Sequence, residues 1–434
     1  MMNERTENLF NNSQRQNFQR EKTMVSKAVI LVGGPGKGTR FRPLSLDIPK
    51  PLFPIAGLPL VQHHIESCAS IDTIKEIILI GYFQPTEQLN RFIREMKDEY
   101  KLNIRYLQEY SLLGTAGSIY LFRDLILTSN TEAFFLIFCD IFCDLRGVLS
   151  NMIAFREKWM KYLVMGVQVE NEQSMNYGCM GVNSQTNEVV HYIEKPSSFV
   201  SNHINGGVYL LSTEVFDDIS KIFAERVGTG NDSISLESDI LSQQAGQGKV
   251  FAFMNEAFWM SIKSAGSAVY ASRIMMEMYK KYHPNRLSTD SNCEGNVYIH
   301  PSAKVHPSAK LGPHVSIGSN VVIEEGARVK NSIILDGTII KKHACILNSI
   351  VGWQSTVGSW TRVEGTPTQL HPDRPHATTD NFYLFDDNGK LLPTITILGR
   401  DTITPDETII RNAIILPGKE LHGMKLGLQN QILL

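Results

Sequence analysis

The chain has no apolar run near the roughly 18 residues that a membrane-spanning helix needs. It has no Cys-x-x-Cys pair. Its six cysteines, Cys68, Cys139, Cys143, Cys179, Cys293 and Cys345, stand at no spacing fit for zinc. Free thiols in a reducing, cytoplasmic setting are the expectation. Net charge is only -2, with no basic stripe, so neither nucleic acid nor a membrane is implied as a partner. The first 23 residues lack the apolar core of a secretory signal and carry acidic residues that a transit peptide avoids. They read as a disordered extension, with Met24 an alternative start of the folded chain.

What is present is an ordinary soluble composition, 42% hydrophobic and 20% charged, over 434 residues. That length suggests two domains. From Ala28 to about Tyr282 short apolar runs alternate with amphipathic segments. Strands are expected at Ala28–Val32, Glu76–Gly81, Ile104–Leu107, Ala133–Phe138, Leu163–Val169, Glu188–Ile193 and Gly207–Leu211. Helices are expected at Pro59–Ser70, Thr86–Tyr100, Thr115–Leu121, Val148–Lys158, Thr213–Phe223 and Ser267–Lys280. This alternation predicts an α/β domain over residues 24–290, with a mostly parallel sheet covered on both faces.

The first strand breaks into a loop with Gly33, Gly34 and Gly38, followed by Thr39, Arg40, Arg42 and the run Pro49-Lys50-Pro51. Glycines let backbone N–H groups crowd a phosphate, and the basic side chains add charge to the same polyanion. The glycines alone are more simply a tight strand-to-helix turn. Together with Thr39, Arg40 and Lys50 they read as a triphosphate-binding loop.

From Asn296 the texture changes. Ile299, Val305, Leu311, Ile317, Ile323, Val329 and Leu335 recur every six residues, and Ala303, Ala309, Val315, Val321, Ala327 and Ile333 form a second six-step series. After a slip, Ile339, Cys345, Val351, Val357 and Val363 resume the period, and Ile397, Ile403, Ile409 and Ile415 carry it again near the end. A six-residue period predicts a left-handed parallel β-helix of hexapeptide repeats over residues 295–434. The stretch Glu364–Pro393 interrupts it with an insertion long enough to carry function of its own. Such folds often carry acyltransferases, for which His300, His306, His314 and His343 are available. The first two sit in His-Pro turns, and that reading leaves the first domain unexplained.

In order, GGPGKGTRFRPLS, PKPLFPIAG, QEYSLLGTAGS, EKP and the hexapeptide tail make the chain resemble the sugar-1-phosphate nucleotidyltransferases. Within them it is similar to the alpha type of the mannose-1-phosphate guanylyltransferases, or GDP-mannose pyrophosphorylases. The resemblance covers residues 24–434 and implies a Rossmann-like nucleotidyltransferase domain ahead of the β-helix. The family's reaction is attack of a sugar-1-phosphate oxygen on a nucleotide α-phosphate, catalysed by charge neutralisation and alignment. The resemblance places Arg40 and Lys50 at the catalytic positions, and Gly33, Gly34, Gly38 and Thr39 around the phosphates. It assigns Gln108, Glu109, Gly114 and Thr115 to the base pocket. Gly178, Glu194, Lys195 and Asn205 would hold the hexose and its phosphate, and Asp140 a magnesium ion.

Three departures stand against turnover. Pro35, Gly36 and Lys37 fill a gap where active members have one residue, and a misplacement of ~1 Å can cost ~100-fold in rate. Ser261, in Trp259-Met260-Ser261-Ile262-Lys263, replaces the second metal aspartate. Phe138 stands where a polar residue is usual. Magnesium is left with one carboxylate and thin support. An active guanylyltransferase would have to recruit another, Asp144 being the nearest candidate. The resemblance otherwise implies a silent subunit that binds GDP-mannose, using Glu109 and Ser261 among others. It would assemble as a homo- and hetero-oligomer and restrain a catalytic beta-type partner, with the insertion reaching that partner.

Overall fold

The computed structural model describes residues 25–433 apart from 35–38, 47, 129–130, 227–231, 368–376, 379–384, 388 and 422–426. The polar extension, the loop residues Pro35, Gly36, Lys37 and Gly38, and most of the insertion lie outside the described residues. Among the described residues no helix is long and apolar enough to cross a membrane.

The first strand, Val25–Gly33, is apolar on both faces, and Val29 and Ile30 are fully buried. It can be so because side chains pack over both faces of the sheet, in two separate cores. Glu76–Gly81 and Ala133–Phe138 flank it in parallel, and Asn103–Gln108 extends the sheet on the Glu76–Gly81 side. The chain thus builds the sheet outward in one direction, then returns to build in the other. The resulting switch point lies at the carboxyl ends of Val25–Gly33 and Ala133–Phe138.

Beyond that point the sheet is mixed, not mostly parallel as the alternating pattern suggested. His203–Ser212 runs antiparallel to both Ala133–Phe138 and Tyr162–Gln168. Gly178–Val182 and Val189–Glu194 form an antiparallel pair at the edge. A short turn joins these two, in which the Asn183 side chain accepts from the Gln185 and Thr186 N–H groups and Asn187 adopts φ 59°. So short a connection has no room for a crossover helix, and the pairing must be antiparallel. Two further strands, Val250–Asn255 and Trp259–Ser261, escape the periodicity reading. The latter pairs antiparallel with Ile141–Cys143.

The tail forms a three-sided parallel β-helix, its strands stacked in all-parallel ladders. Early coils advance 18 residues, as in Val297↔Val315, and later ones 17, as in Ile340↔Val357. The residue is lost at one corner, where Asn331, Asn348 and Asn412 each take a left-handed φ near +47°. Asparagine tolerates that conformation, so the corner tightens without glycine. The shortening changes the phase. Ile340 and Ile346 point inward and are fully buried, whereas Ile339 is exposed and Cys345 half-buried. Likewise Ile410 fills the core while Ile403 and Ile409 face out; Ile415 points inward as expected, and Ile397 is buried on the outer face against the first domain. Glu364 lies in the strand Arg362–Glu364 and accepts from Arg362 and Arg411, so the β-helix reaches past the proposed start of the insertion.

One side of the β-helix is apolar on both faces. Ile317, Ile334, Val351, Leu398 and Ile415 fill its interior. Ile333, Ile350, Ile397 and Ile414, partners in successive ladders, point outward into the core of the first domain. They meet the helix Ala265–Tyr282 and Phe53, whose ring stands edge-on to Trp353 at 6.0 Å. Within the insertion, Ala377–Thr378 lies parallel beside Trp259–Met260.

Replacing Ile346 by Ala should destabilise the β-helix by ~2–5 kcal/mol through lost burial and a cavity. Cys345→Ala should cost less than ~1 kcal/mol. Equilibrium urea denaturation of both variants checks the corrected phase; equal losses would contradict it.

Candidate functional site

A cavity of about 660 Å³ opens at the switch point. Its first wall is the loop after Val25–Gly33. Gly33 takes φ +72°, and a Cβ on Gly34 would stand 2.3 Å from Cβ of Tyr82, so only glycine permits this approach. Thr39 and Arg40 lie on a single 3-10 turn at the rim, anchored by the buried Phe41. Lys50 begins another such turn, fixed by Pro49 and Pro51, with Nζ 5.7 Å from the Phe41 ring centre.

The second wall carries a hydrogen-bond chain. Asn205 Nδ2 donates to the hydroxyls of Tyr192 (3.0 Å) and Tyr209 (2.7 Å). Tyr192 donates to Glu194 at 3.1 Å, and Tyr209 to Glu237 at 3.1 Å. Glu237 also accepts from Thr115 at 2.7 Å and from Ser235 at 2.8 Å. Burial pushes both tyrosine hydroxyls well above their ordinary range, and the neighbouring carboxylates push them further. They remain donors, so the chain holds Glu194 and Thr115 in fixed positions at the cavity. Gly178 fits beneath this wall because a Cβ there would meet the Tyr192 hydroxyl at 2.1 Å.

The third wall joins two segments. Asp140 follows Ala133–Phe138, and its carbonyl accepts from Ile262 N–H at 2.7 Å. Ser261 stands opposite Ile141 in the adjoining ladder and is 2% exposed. Lys263 extends over the Tyr177 ring, Nζ 4.2 Å from its centre. Burial lowers its pKa, Asp140 opposes that, and Arg40, Lys195 and Lys50 lower it further. Trp259 is locked by its indole N–H bond to the Gly206 carbonyl, 2.9 Å.

Of the residues singled out from sequence, Gly33, Gly34, Thr39, Arg40, Lys50, Thr115, Asp140, Gly178, Glu194, Lys195, Asn205 and Ser261 line this cavity. Gly38 lies outside the described residues. Gln108, Glu109 and Gly114 stand off the lining, with Glu109 buried and accepting from Ser118. Asp144 is turned away. It caps the helix Leu145–Phe155 by accepting from Gly147 N–H at 3.3 Å and borders a different concavity. Of the tail histidines, His300 and His306 hold Ser302 and Ser308 in their turns, His343 stacks on Trp360, and His314 borders a small cavity beside the helix Ala265–Tyr282.

Sequence reasoning missed Glu237, Tyr192 and Tyr209. Glu237 sits in a short π-helical segment, Leu236–Leu241, a geometry that recurs at functional sites. Its signal was an acid inside the apolar run Ile234, Leu236, Ile240 and Leu241.

The lining does not fit magnesium. Among the described residues no three His, Cys, Asp or Glu side chains gather to hold a metal. At the implied position stand one carboxylate, one hydroxyl and a nearby ammonium, whereas the ion prefers carboxylates and phosphates.

Glu237→Leu would leave the hydroxyls of Thr115, Ser235 and Tyr209 without their acceptor. A loss of ~2–4 kcal/mol in folding stability is expected, with Glu237→Gln losing less. Thermal melting of the two variants measures it.

The family model described as "Nucleotidyl transferase" matches residues 27–274, and that described as "GMPPB C-terminal domain" matches residues 293–432. The mannose-1-phosphate guanylyltransferase regulatory subunit alpha-A of Danio rerio is 50% identical over 426 residues, 94% of this chain and 100% of the relative. The mannose-1-phosphate guanylyltransferase regulatory subunit alpha of Homo sapiens is 49% identical over the same shares of each chain. A putative glucose-1-phosphate thymidylyltransferase from Bacillus anthracis, solved with a sucrose, aligns at TM-score 0.48 and 19% identity, covering 58% of this chain and 95% of that one. The chain belongs to the nucleotidyl transferase family, among the alpha-type relatives of mannose-1-phosphate guanylyltransferase.

Proposed function

We propose that the chain is a regulatory subunit of GDP-mannose synthesis. It binds GDP-mannose in the switch-point cavity and restrains a catalytic beta-type mannose-1-phosphate guanylyltransferase, so that product limits its own formation. The observation that carries this reading is Ser261. It stands where a second carboxylate would be needed, in a cavity lined by most of the other expected binding residues. Phosphoryl transfer depends on neutralising charge that develops at the reacting phosphate. Removing a metal ligand attacks that step and spares the contacts that hold a nucleotide-sugar. Relatives named as regulatory subunits over their whole length support the same reading.

Feedback also needs an element that both ligand and partner can bias. The insertion meets that need. It leaves the β-helix, and its residues Ala377–Thr378 add to the strand that ends at Ser261. Ligand contact at Ser261 and partner contact on the insertion would then act on one short sheet.

The isolated chain, given GTP, mannose-1-phosphate and magnesium, should form no GDP-mannose above background in a pyrophosphate-release assay, while calorimetry detects GDP-mannose binding. Robust turnover would overturn the proposal, as would absence of binding. Deleting residues 368–384 should leave far-UV circular dichroism and melting unchanged yet abolish inhibition of the catalytic partner by GDP-mannose. Retained inhibition would remove the insertion from the mechanism.

A further inference from the structure

Among the described residues four cationic side chains line the cavity: Arg40, Lys50, Lys195 and Lys263. They are not equivalent. Arg40 is exposed at the rim. Lys195 pairs with Glu194 at 3.5 Å and is 65% exposed. Lys50 stands over Phe41. Lys263 is the deep one, resting on Tyr177 and entering from the strand that carries Ser261. The hydrogen bond from Ile262 to the Asp140 carbonyl puts Lys263 one residue beyond the Asp140 backbone. Yet among the described residues neither Lys263 nor Asp140 closes an ion pair. The ammonium is therefore available to a ligand beside the carboxylate.

We propose that Lys263 takes the place of a divalent cation, so that the diphosphate of a nucleoside diphosphate-sugar binds here without metal. An ammonium is a compact point charge with three donors, suited to bridging phosphate oxygens. It is positioned by the aromatic face beneath it and by its own backbone, and needs no second carboxylate. Its charge also repels a dication from the neighbouring Asp140. The change also alters what the cavity selects. A nucleoside triphosphate arrives with magnesium, and here the ion meets one carboxylate and an ammonium. A diphosphate-sugar carries less charge and is matched by the fixed cations. The pair Ser261 and Lys263 thus converts a substrate cavity into one that prefers product.

This inference rests on GDP-mannose binding as proposed above, and calorimetry separates the two. The full chain is titrated with GDP-mannose in EDTA and again in millimolar magnesium chloride. Affinities within about threefold of each other are expected. Lys263→Met should lose about tenfold or more in EDTA, with no rescue by magnesium, while Lys263→Arg keeps most of the affinity. Melting curves of both variants confirm folding. Wild-type binding that requires magnesium, or full affinity in Lys263→Met, overturns the role of Lys263 alone. Absence of wild-type binding in both buffers overturns the GDP-mannose reading and this inference with it.

Discussion

The parallel pairing of Val25–Gly33 with Ala133–Phe138 is the constraint on which the rest of the molecule depends. Two buried strands that end at the same level present a glycine loop from one and Asp140 from the other. A slip of either strand by one residue would exchange the side chains that fill the two cores. The ladder from Lys27↔Phe134 to Leu31↔Phe138 therefore fixes the cavity before any ligand does. Everything distinctive about the site is attached to that frame. The edge strands bring Gly178 and Glu194, the π-helical segment brings Glu237, and the strand Trp259–Ser261 closes the third side.

The frame was legible where pattern and burial coincide. Glu76–Gly81 and Ala133–Phe138 were read to the residue because each is a regular apolar pattern of strand length, too short for a helix. The hexads of the tail were legible for the same reason, since each inward side chain repeats at a fixed interval. The phase after Leu335 was not. A six-residue rule carries no information about a corner shortened by one residue. The sign of it, asparagine at 331, 348 and 412, marks a left-handed turn only once the strands are seen to stack. Ile333 and Ile350 were legible as apolar but not as facing another domain, because a strand buried on both sides looks like any other apolar run.

The candidate site divides along similar lines. Residues in short glycine-rich or charged motifs could be found from their neighbours in the chain. Tyr192 and Tyr209 could not, and Glu237 showed only as an acid in an apolar run, because their role is to hold one another across distant segments. Under the proposed function the feature that matters most, Ser261 where the resemblance implies a carboxylate, was visible in the sequence as a departure. Its meaning depends on the fold, since the ladder Ser261↔Ile141 brings the segment of Ser261 next to the one that carries Asp140, and both line the cavity.

The helix Ala265–Tyr282 begins one residue after the Ser264 cap, directly behind Lys263, and runs along the outward isoleucines of the β-helix. At 18 residues it is about 27 Å long. It is a stiff arm whose root is in the cavity wall and whose shaft is glued to the second domain. One stiff helix thus carries both the packing between the domains and the backbone next to Lys263, so a shift of the β-helix has a direct mechanical route to the cavity wall.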